Sequence, residues 1–191
     1  EFRRVLFRSV DDTKAVEPEL IEEERRSGMP EELIRQEYYC SFDAPLVGSY
    51  YGDQLEAAQQ EGRISKVPWE PKLPVTTAWD LGMADATGIW FLQQVGREIR
   101  AIDYYESFGK GLEHYAKICL QKQYAYDVAL LPHDAEVRDL TTGRSRVEML
   151  RSLGLKCRVV AKLPLQDGIA AVRNLLPQTW FDEEKCERGL Q

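Results

Sequence analysis

From Pro74 onward the chain changes its periodicity twice, and this order of segments limits the possible folds more than any other feature. Residues 75–81 (VTTAWDL) are rich in β-branched side chains and predict a strand. Residues 87–95 and 98–106 predict two more strands, joined at Gly96-Arg97, a hairpin signal. Residues 111–123 then place Leu112, Tyr115, Ile118 and Cys119 at helical spacing. Residues 127–132 (DVALLP) form an apolar strand. Residues 145–153 predict a helix with Ser145 as N-cap, Glu148 in capping-box position and Gly154 as the stop. Residues 157–162 read as a strand, and 165–176 as a helix ended by Pro177. The order β-β-β-α-β-α-β-α implies an α/β fold with a mixed five-stranded sheet. Three antiparallel strands are followed by parallel ones, with helices on both faces.

Upstream of this pattern the chain is different. Residues 17–26 are charged and predict a helix or frayed tail, which Gly28-Met29-Pro30 breaks. Residues 31–38 read as a helix with acids in its first turn, where the macrodipole favours them. Residues 43–51 read as loop and 52–60 as a short helix stopped by Gly62. Pro68, Pro71 and Pro74 mark a linker, so 10–72 and 73–191 are expected as separate parts. Residues 1–9 (EFRRVLFRS) have no helical or strand period. They resemble the translation of a short-read sequencing adaptor and are set apart from the fold. The last residues, EEKCERGLQ, read as a helix without a cap, and truncation at both ends is expected.

Charge and composition exclude several classes. Hydrophobic residues make up 43% of the chain, enough for a core. No run approaches the ~20 consecutive apolar residues of a membrane-spanning helix, so no membrane partner is expected. Cys40, Cys119, Cys157 and Cys186 are scattered, and with only His114 and His133 to help them they do not form a zinc set. They read as reduced thiols. The net charge of −7 is uneven. Residues 10–66 hold 14 acids against 6 bases, whereas 138–173 hold 8 bases against 3 acids. Local charge is what grips phosphate, although a solvated helix face would look the same.

The order of elements matches the ribonuclease H-like fold, in which the first and fourth strands are parallel neighbours near the sheet centre. Asp80 closes the first strand and Asp134 follows the fourth. Both carboxylates should then emerge at one edge, from strands ~4.8 Å apart. Carboxylates that close repel unless a cation lies between them. Mg²⁺ prefers hard oxygen ligands, and a pair of such ions can activate water against a phosphodiester. The alternative is that both aspartates merely cap strand ends.

The stretch VTTAWDLGMADATGIWFLQQVGREIRAIDYYESFG resembles the opening of the nuclease domain of tailed-phage terminase large subunits. LLPHDA, TGRSRVEMLRSLG and QDGIAAVRNLLPQTWFDEEKC continue the likeness in order. EELIRQEYYCSF resembles the point where such proteins leave their ATPase domain. The resemblance implies a DNA endonuclease that cuts concatemeric viral DNA, with Asp80 and Asp134 as catalytic metal ligands for Mg²⁺ or Mn²⁺, two ions in all. It implies double-stranded DNA, a small terminase subunit and a portal protein as partners. It also implies an oligomeric ring, and a place in the host cytoplasm and at the prohead portal. The family's third acidic ligand sits on a later helix, in a pattern that nothing here matches. Asp182, Glu183 and Glu184 do not fit that pattern and read as acids at a helix start. No G-x-x-x-x-G-K-[ST] loop is present, so ATP hydrolysis by these residues alone is not expected.

Around the two aspartates, His133 could touch a phosphate or orient a water. Arg138, Arg144 and Arg146 follow the fourth strand on the side where DNA should pass. Asp103 and Glu106 could support the site, although solvent-facing strand positions are the plainer reading. Asp85 reads as a turn residue. Trp79, Trp90, Phe91 and Trp180 read as core, with the adjacent Trp90 and Phe91 on opposite faces. Two competing functions use the same residues. One is a non-catalytic DNA-binding or motor-docking module. The other is an actin-like phosphotransferase, for which Asp80-Leu81-Gly82 with Thr87 would be a phosphate loop. That class needs a second Gly-rich loop and an adenosine motif, and the sequence has neither.

Overall fold

The computed structural model describes residues 50–82, 86–138 and 143–191. The expected segments before Tyr50, the turn at Asp85 and the adaptor-like start lie outside the described residues. The chain divides into two compact units, Glu1–Ala57 and Ala58–Gln191. A helix, α1 (Gly52–Gln60), forms where the sequence predicts it and stops at Gly62, which has φ +72°.

The second unit is built on one sheet of seven strands: β1 (Ile64–Ser65), β2 (Val75–Asp80), β3 (Thr87–Val95), β4 (Glu98–Ser107), β5 (Tyr126–Leu131), β6 (Cys157–Val159) and β7 (Thr179–Asp182). Their order across the sheet is β1-β7-β4-β3-β2-β5-β6. The pairs β2/β3 and β3/β4 are antiparallel, and β2/β5, β5/β6, β4/β7 and β1/β7 are parallel. Three further helices follow the alternation: α2 (Leu112–Gln121), α3 (Arg146–Ser152) and α4 (Leu165–Leu175). The Ser145–Glu148 capping box of α3 forms in both directions, satisfying two backbone N–H groups that a bare helix start leaves open. No helix among the described residues is long and apolar enough to cross a membrane.

The expected five strands are all present, and the mixed α/β sheet is as read from the sequence. The count of five is corrected to seven among the described residues. β1 has two residues and β7 four, too short for any periodicity to show. They become strands because β7 pairs with the edge of β4 and then offers its own edge to β1. The same pairing alters the reading of the proline-bearing segment. Arg63, almost fully buried, donates from Nη1 to the carbonyls of Leu176 (2.8 Å) and Thr179 (3.1 Å). Val67 joins the core. The Gln93 side chain accepts from Glu70 N–H (2.9 Å) and donates to the carbonyls of Glu70 (2.9 Å) and Leu73 (2.8 Å). Residues 63–73, which run into the expected Pro68–Pro74 linker, are tied into the sheet unit by hydrogen bonds that composition does not reveal.

Alternation puts Val75, Trp79, Ile89, Phe91, Ala129 and Leu131 on one face. There they meet Tyr115, Ala116 and Cys119 of α2 and Val147 and Leu150 of α3 in the main core. Trp90 points to the other face, against Tyr104 and Phe181, as its adjacency to Phe91 requires. A short 3-10 turn, Glu187–Leu190, packs on this second face. Its Gly189 lies so close to the Trp90 and Tyr104 rings that a Cβ there would fall 2.7–2.8 Å from their atoms. The chain end, expected as a helix, is this turn.

Candidate active site at the sheet edge

Asp80 is the last residue of β2 and is exposed. Asp134 lies in a 3-10 turn, His133–Glu136, that begins directly after β5. β2 and β5 are hydrogen-bonded parallel neighbours, with Thr77 beside Ala129 and Ala78 beside Leu130. Carried forward two residues, that register brings Asp80 level with Pro132, two positions before Asp134. Both aspartates thus leave the same edge of the sheet from adjacent strands, ~4.8 Å apart in the hydrogen-bonding direction. The strand-end positions follow from the sequence: β2 ends where Gly82 interrupts the β-branched run, and β5 ends at Pro132.

One oxygen of Asp134 is occupied. Arg146 Nη1, in the first turn of α3, stands 3.3 Å from its Oδ2. The pair is partly exposed, so it contributes little to stability, but it sets Arg146 against the carboxylate rather than in open solvent. Arg138 faces Glu148 at 3.5 Å with its side chain 71% exposed, and its backbone forms an isolated bridge with Ser145. Arg144 and His133 are exposed. Of the basic candidates, Arg146 is drawn to an aspartate and Arg138 to a glutamate.

A third carboxylate shares the edge. Gly88 of β3 pairs with Asp80 on one side and Glu106 of β4 on the other. Directly opposed residues of antiparallel strands face the same way, so Asp80 and Glu106 flank a position that has no side chain. The Tyr104 ring fills that gap, and a Cβ on Gly88 would sit 2.9 Å from its hydroxyl. Tyr104 donates to Glu106 Oε2 (2.7 Å), and Arg188 Nε donates to Glu106 Oε1. Burial alone would raise the Glu106 pKa. The bonds from Tyr104 and Arg188 outweigh it and hold the carboxyl below its ordinary value. Tyr104 is pushed well above the ordinary tyrosine value, first by burial and then by Glu106, with Arg188 lowering it and Asp80 raising it further. The sequence reading weighed Glu106 but missed Tyr104 and Arg188. The i, i+2 spacing of Tyr104 and Glu106 puts them on one strand face and could have signalled the first, whereas nothing local points to Arg188.

Asp103, read as solvent-facing, is buried. It forms an ion pair with Lys122 and accepts from Tyr124 (3.1 Å) on the α2 face of the sheet. It lies on the face opposite to Glu106 and supports packing. Asp182, read as a helix-start acid, is also buried. It closes β7 and accepts from the N–H groups of Val67 (3.2 Å) and Lys185 (2.9 Å), while Glu183 and Glu184 are exposed.

Among the described residues no group of three or more histidine, cysteine, aspartate or glutamate side chains is arranged to hold a metal. Asp80 and Asp134 bring two carboxylates to this edge, oxygen donors of the kind that would suit an ion keeping several waters and taking further oxygens from a phosphate.

No protein-family model matches the chain, and no curated protein matches it. Solved structures do. The large terminase of a thermophilic bacteriophage superposes with a TM-score of 0.55 over 99% of this chain at 14% identity. The chain spans about half of that protein's length, 48%. The large terminase nuclease of thermophilic phage G20c superposes with a TM-score of 0.50, whether solved with bound magnesium (13% identity) or with bound cobalt (14%). Each covers 74% of this chain and 77% of the nuclease. At such identities the likeness is one of fold, and the fold is the ribonuclease H-like one that phage large-terminase nucleases share.

Proposed function

We propose that the chain carries the metal-dependent endonuclease domain of a viral DNA-packaging large terminase, which hydrolyses phosphodiesters to cut concatemeric phage DNA. The observation that supports it best is the convergence of Asp80 and Asp134 at one edge of adjacent parallel strands, in a fold shared with terminase nucleases. Mg²⁺ or Mn²⁺, held by Asp80 and Asp134, would supply an activated water and neutralise charge on the phosphate. That the G20c nuclease was solved with bound magnesium and, separately, with bound cobalt supports a divalent ion here, and two such ions together would suit phosphodiester hydrolysis.

In this reading the protein's own residues bind and orient DNA. Arg146, Arg144 and Arg138 follow β5 and would contact backbone phosphates, and His133 would contact a phosphate or orient a water beside Asp134. Double-stranded DNA is the substrate, and the packaging partners are a small terminase subunit and a portal protein. The full-length protein works as a ring at the prohead portal in the host cytoplasm, and the residues preceding the sheet unit belong to the end of its ATPase domain.

The test is Mn²⁺-dependent nicking of supercoiled plasmid. Asp80→Ala and Asp134→Ala should each cut the rate by at least about 100-fold, as loss of a ligand to a catalytic ion does. Nicking that survives in Asp80→Ala would remove the role given to that carboxylate. The Arg146–Asp134 ion pair favours a second reading, a DNA-binding or motor-docking module without catalysis. Salt-sensitive DNA binding by a chain that never nicks, in Mn²⁺ or Mg²⁺, would select it.

A further inference from the structure

Glu106 has both carboxylate oxygens engaged. Tyr104 donates to one and Arg188 to the other. Its side chain is 20% exposed, whereas that of Arg188 is 72% exposed. A mostly buried carboxylate is thus anchoring an exposed guanidinium by a single nitrogen. Arginine has five N–H donors in a rigid fork and keeps its charge at every accessible pH. Fixing Nε leaves a fork suited to the two oxygens of a phosphate.

Two glycines make room for the anchor. Gly88 leaves the space into which Tyr104 reaches, and Gly189 lets the Arg188-bearing turn lie directly on Trp90 and Tyr104. The row Asp80–Gly88–Glu106 then puts Arg188 on the opposite flank of Asp80 from Arg138, Arg144 and Arg146, which follow β5.

We propose that Arg188 is a phosphate-contacting residue of this edge, and that Glu106 and Tyr104 are positioning residues that hold its guanidinium toward the DNA backbone. The proposal rests on the nuclease reading for the identity of its ligand, a nucleic-acid phosphodiester. With guanidinium groups on both flanks, a duplex lying across the edge would be gripped on either side of the bond facing Asp80 and Asp134.

The whole chain is titrated into a short fluorescent duplex in EDTA, between about 50 and 200 mM KCl. Removing metal separates this test from the nicking assay. Arg188→Ala should raise Kd about tenfold, the scale of one lost charge-assisted hydrogen-bonded contact. It should also lower the slope of log K against log salt by about 0.9, one phosphate's worth of released counterion. Arg188→Lys, which keeps the charge without the fork, should retain the slope and recover only part of the affinity. Glu106→Gln should raise Kd about threefold and add nothing in the Arg188→Ala background, because a positioning residue acts only through its partner.

An unchanged slope in Arg188→Ala, with the protein folded by circular dichroism, overturns the proposal. So does full additivity in the double variant. A Glu106→Gln variant that binds DNA normally but loses Mn²⁺ affinity would make Glu106 a metal ligand and overturn its positioning role. If Arg188 behaves as expected while wild-type protein never nicks plasmid, the nuclease reading fails and the phosphate contact stands.

Discussion

Replacing Gln93 with leucine keeps the bulk of a fully buried side chain in the middle of β3 but removes its amide. Three hydrogen bonds go with it: one accepted from Glu70 N–H and two donated to the carbonyls of Glu70 and Leu73, all 2.8–2.9 Å long. A hydrogen bond contributes about 1 kcal/mol net, and a buried polar group left without a partner costs about 1–3 kcal/mol. Glu70 and Leu73 are only half-buried, so water can reach part of what is lost, and the added apolar contact of leucine offsets some of the rest. The expected loss is about 2–4 kcal/mol, a substantial share of the ~5–15 kcal/mol by which a domain is stable. Urea unfolding followed by circular dichroism reads it as a lower midpoint at unchanged slope. Hydrogen exchange should show the Glu70 and Lys72 amides losing protection before those of β3. A loss below about 1 kcal/mol, or undiminished protection at Glu70, would refute the idea that this side chain ties residues 67–73 to the sheet.

Three further outcomes follow from the same structure. Ser145→Ala removes the acceptor for Glu148 N–H (3.1 Å) and should cost about 1 kcal/mol in urea midpoint, with Ser145→Gly costing less; equal stability of wild type and Ser145→Ala would contradict the capping role. Lys122→Met strands the buried Asp103 carboxylate with Tyr124 as its remaining hydrogen-bond partner among the described residues, and should destabilise by about 2–4 kcal/mol, whereas Lys122→Met with Asp103→Leu should recover much of it. Stability should also fall in alkali. Burial raises the pKa of Tyr104, Tyr124 and Tyr126 and pushes the Cys119 and Cys186 thiols up to about 12. The unfolded chain therefore loses these protons first, from about pH 8.5 for thiols and pH 10 for tyrosines. The stabilisation is complete below those values and is lost as pH climbs toward the folded ones, so a urea midpoint equal at about pH 8 and pH 10.5 would contradict it.

Much of the fold was legible because its elements advertise themselves locally. β3 was read to the residue from its apolar run and the Gly96 turn. α1 and α3 were read from a glycine stop and a capping box, patterns that act over three or four residues. The site was legible to the extent that strand order was. Once β2 and β5 are recognised as the first and fourth strands of this fold, Asp80 and Asp134 must leave by the same edge, because parallel neighbours share their direction. The side chains beside them were less legible. Arg146 was read as a DNA-phosphate contact, and nothing local announced its pairing with Asp134, which arises because α3 packs against the 3-10 turn that follows β5.

What the sequence determined by itself was the longer segments, their order, and the placing of Asp80 at the end of β2 and Asp134 just past β5. Each of those depends on neighbours a few residues away or on the chain's direction. The tertiary structure alone decided the rest: two extra strands, the capture of residues 63–73 by Arg63 and Gln93, the burial of Asp103 with Lys122, and the meeting of Glu106 with Arg188. The physical reason is range. These features join positions from 19 residues apart (Asp103 and Lys122) to 117 apart (Ile64 and Phe181), and a pairing energy that exists only after two distant segments have been brought into contact leaves no periodic trace in either one.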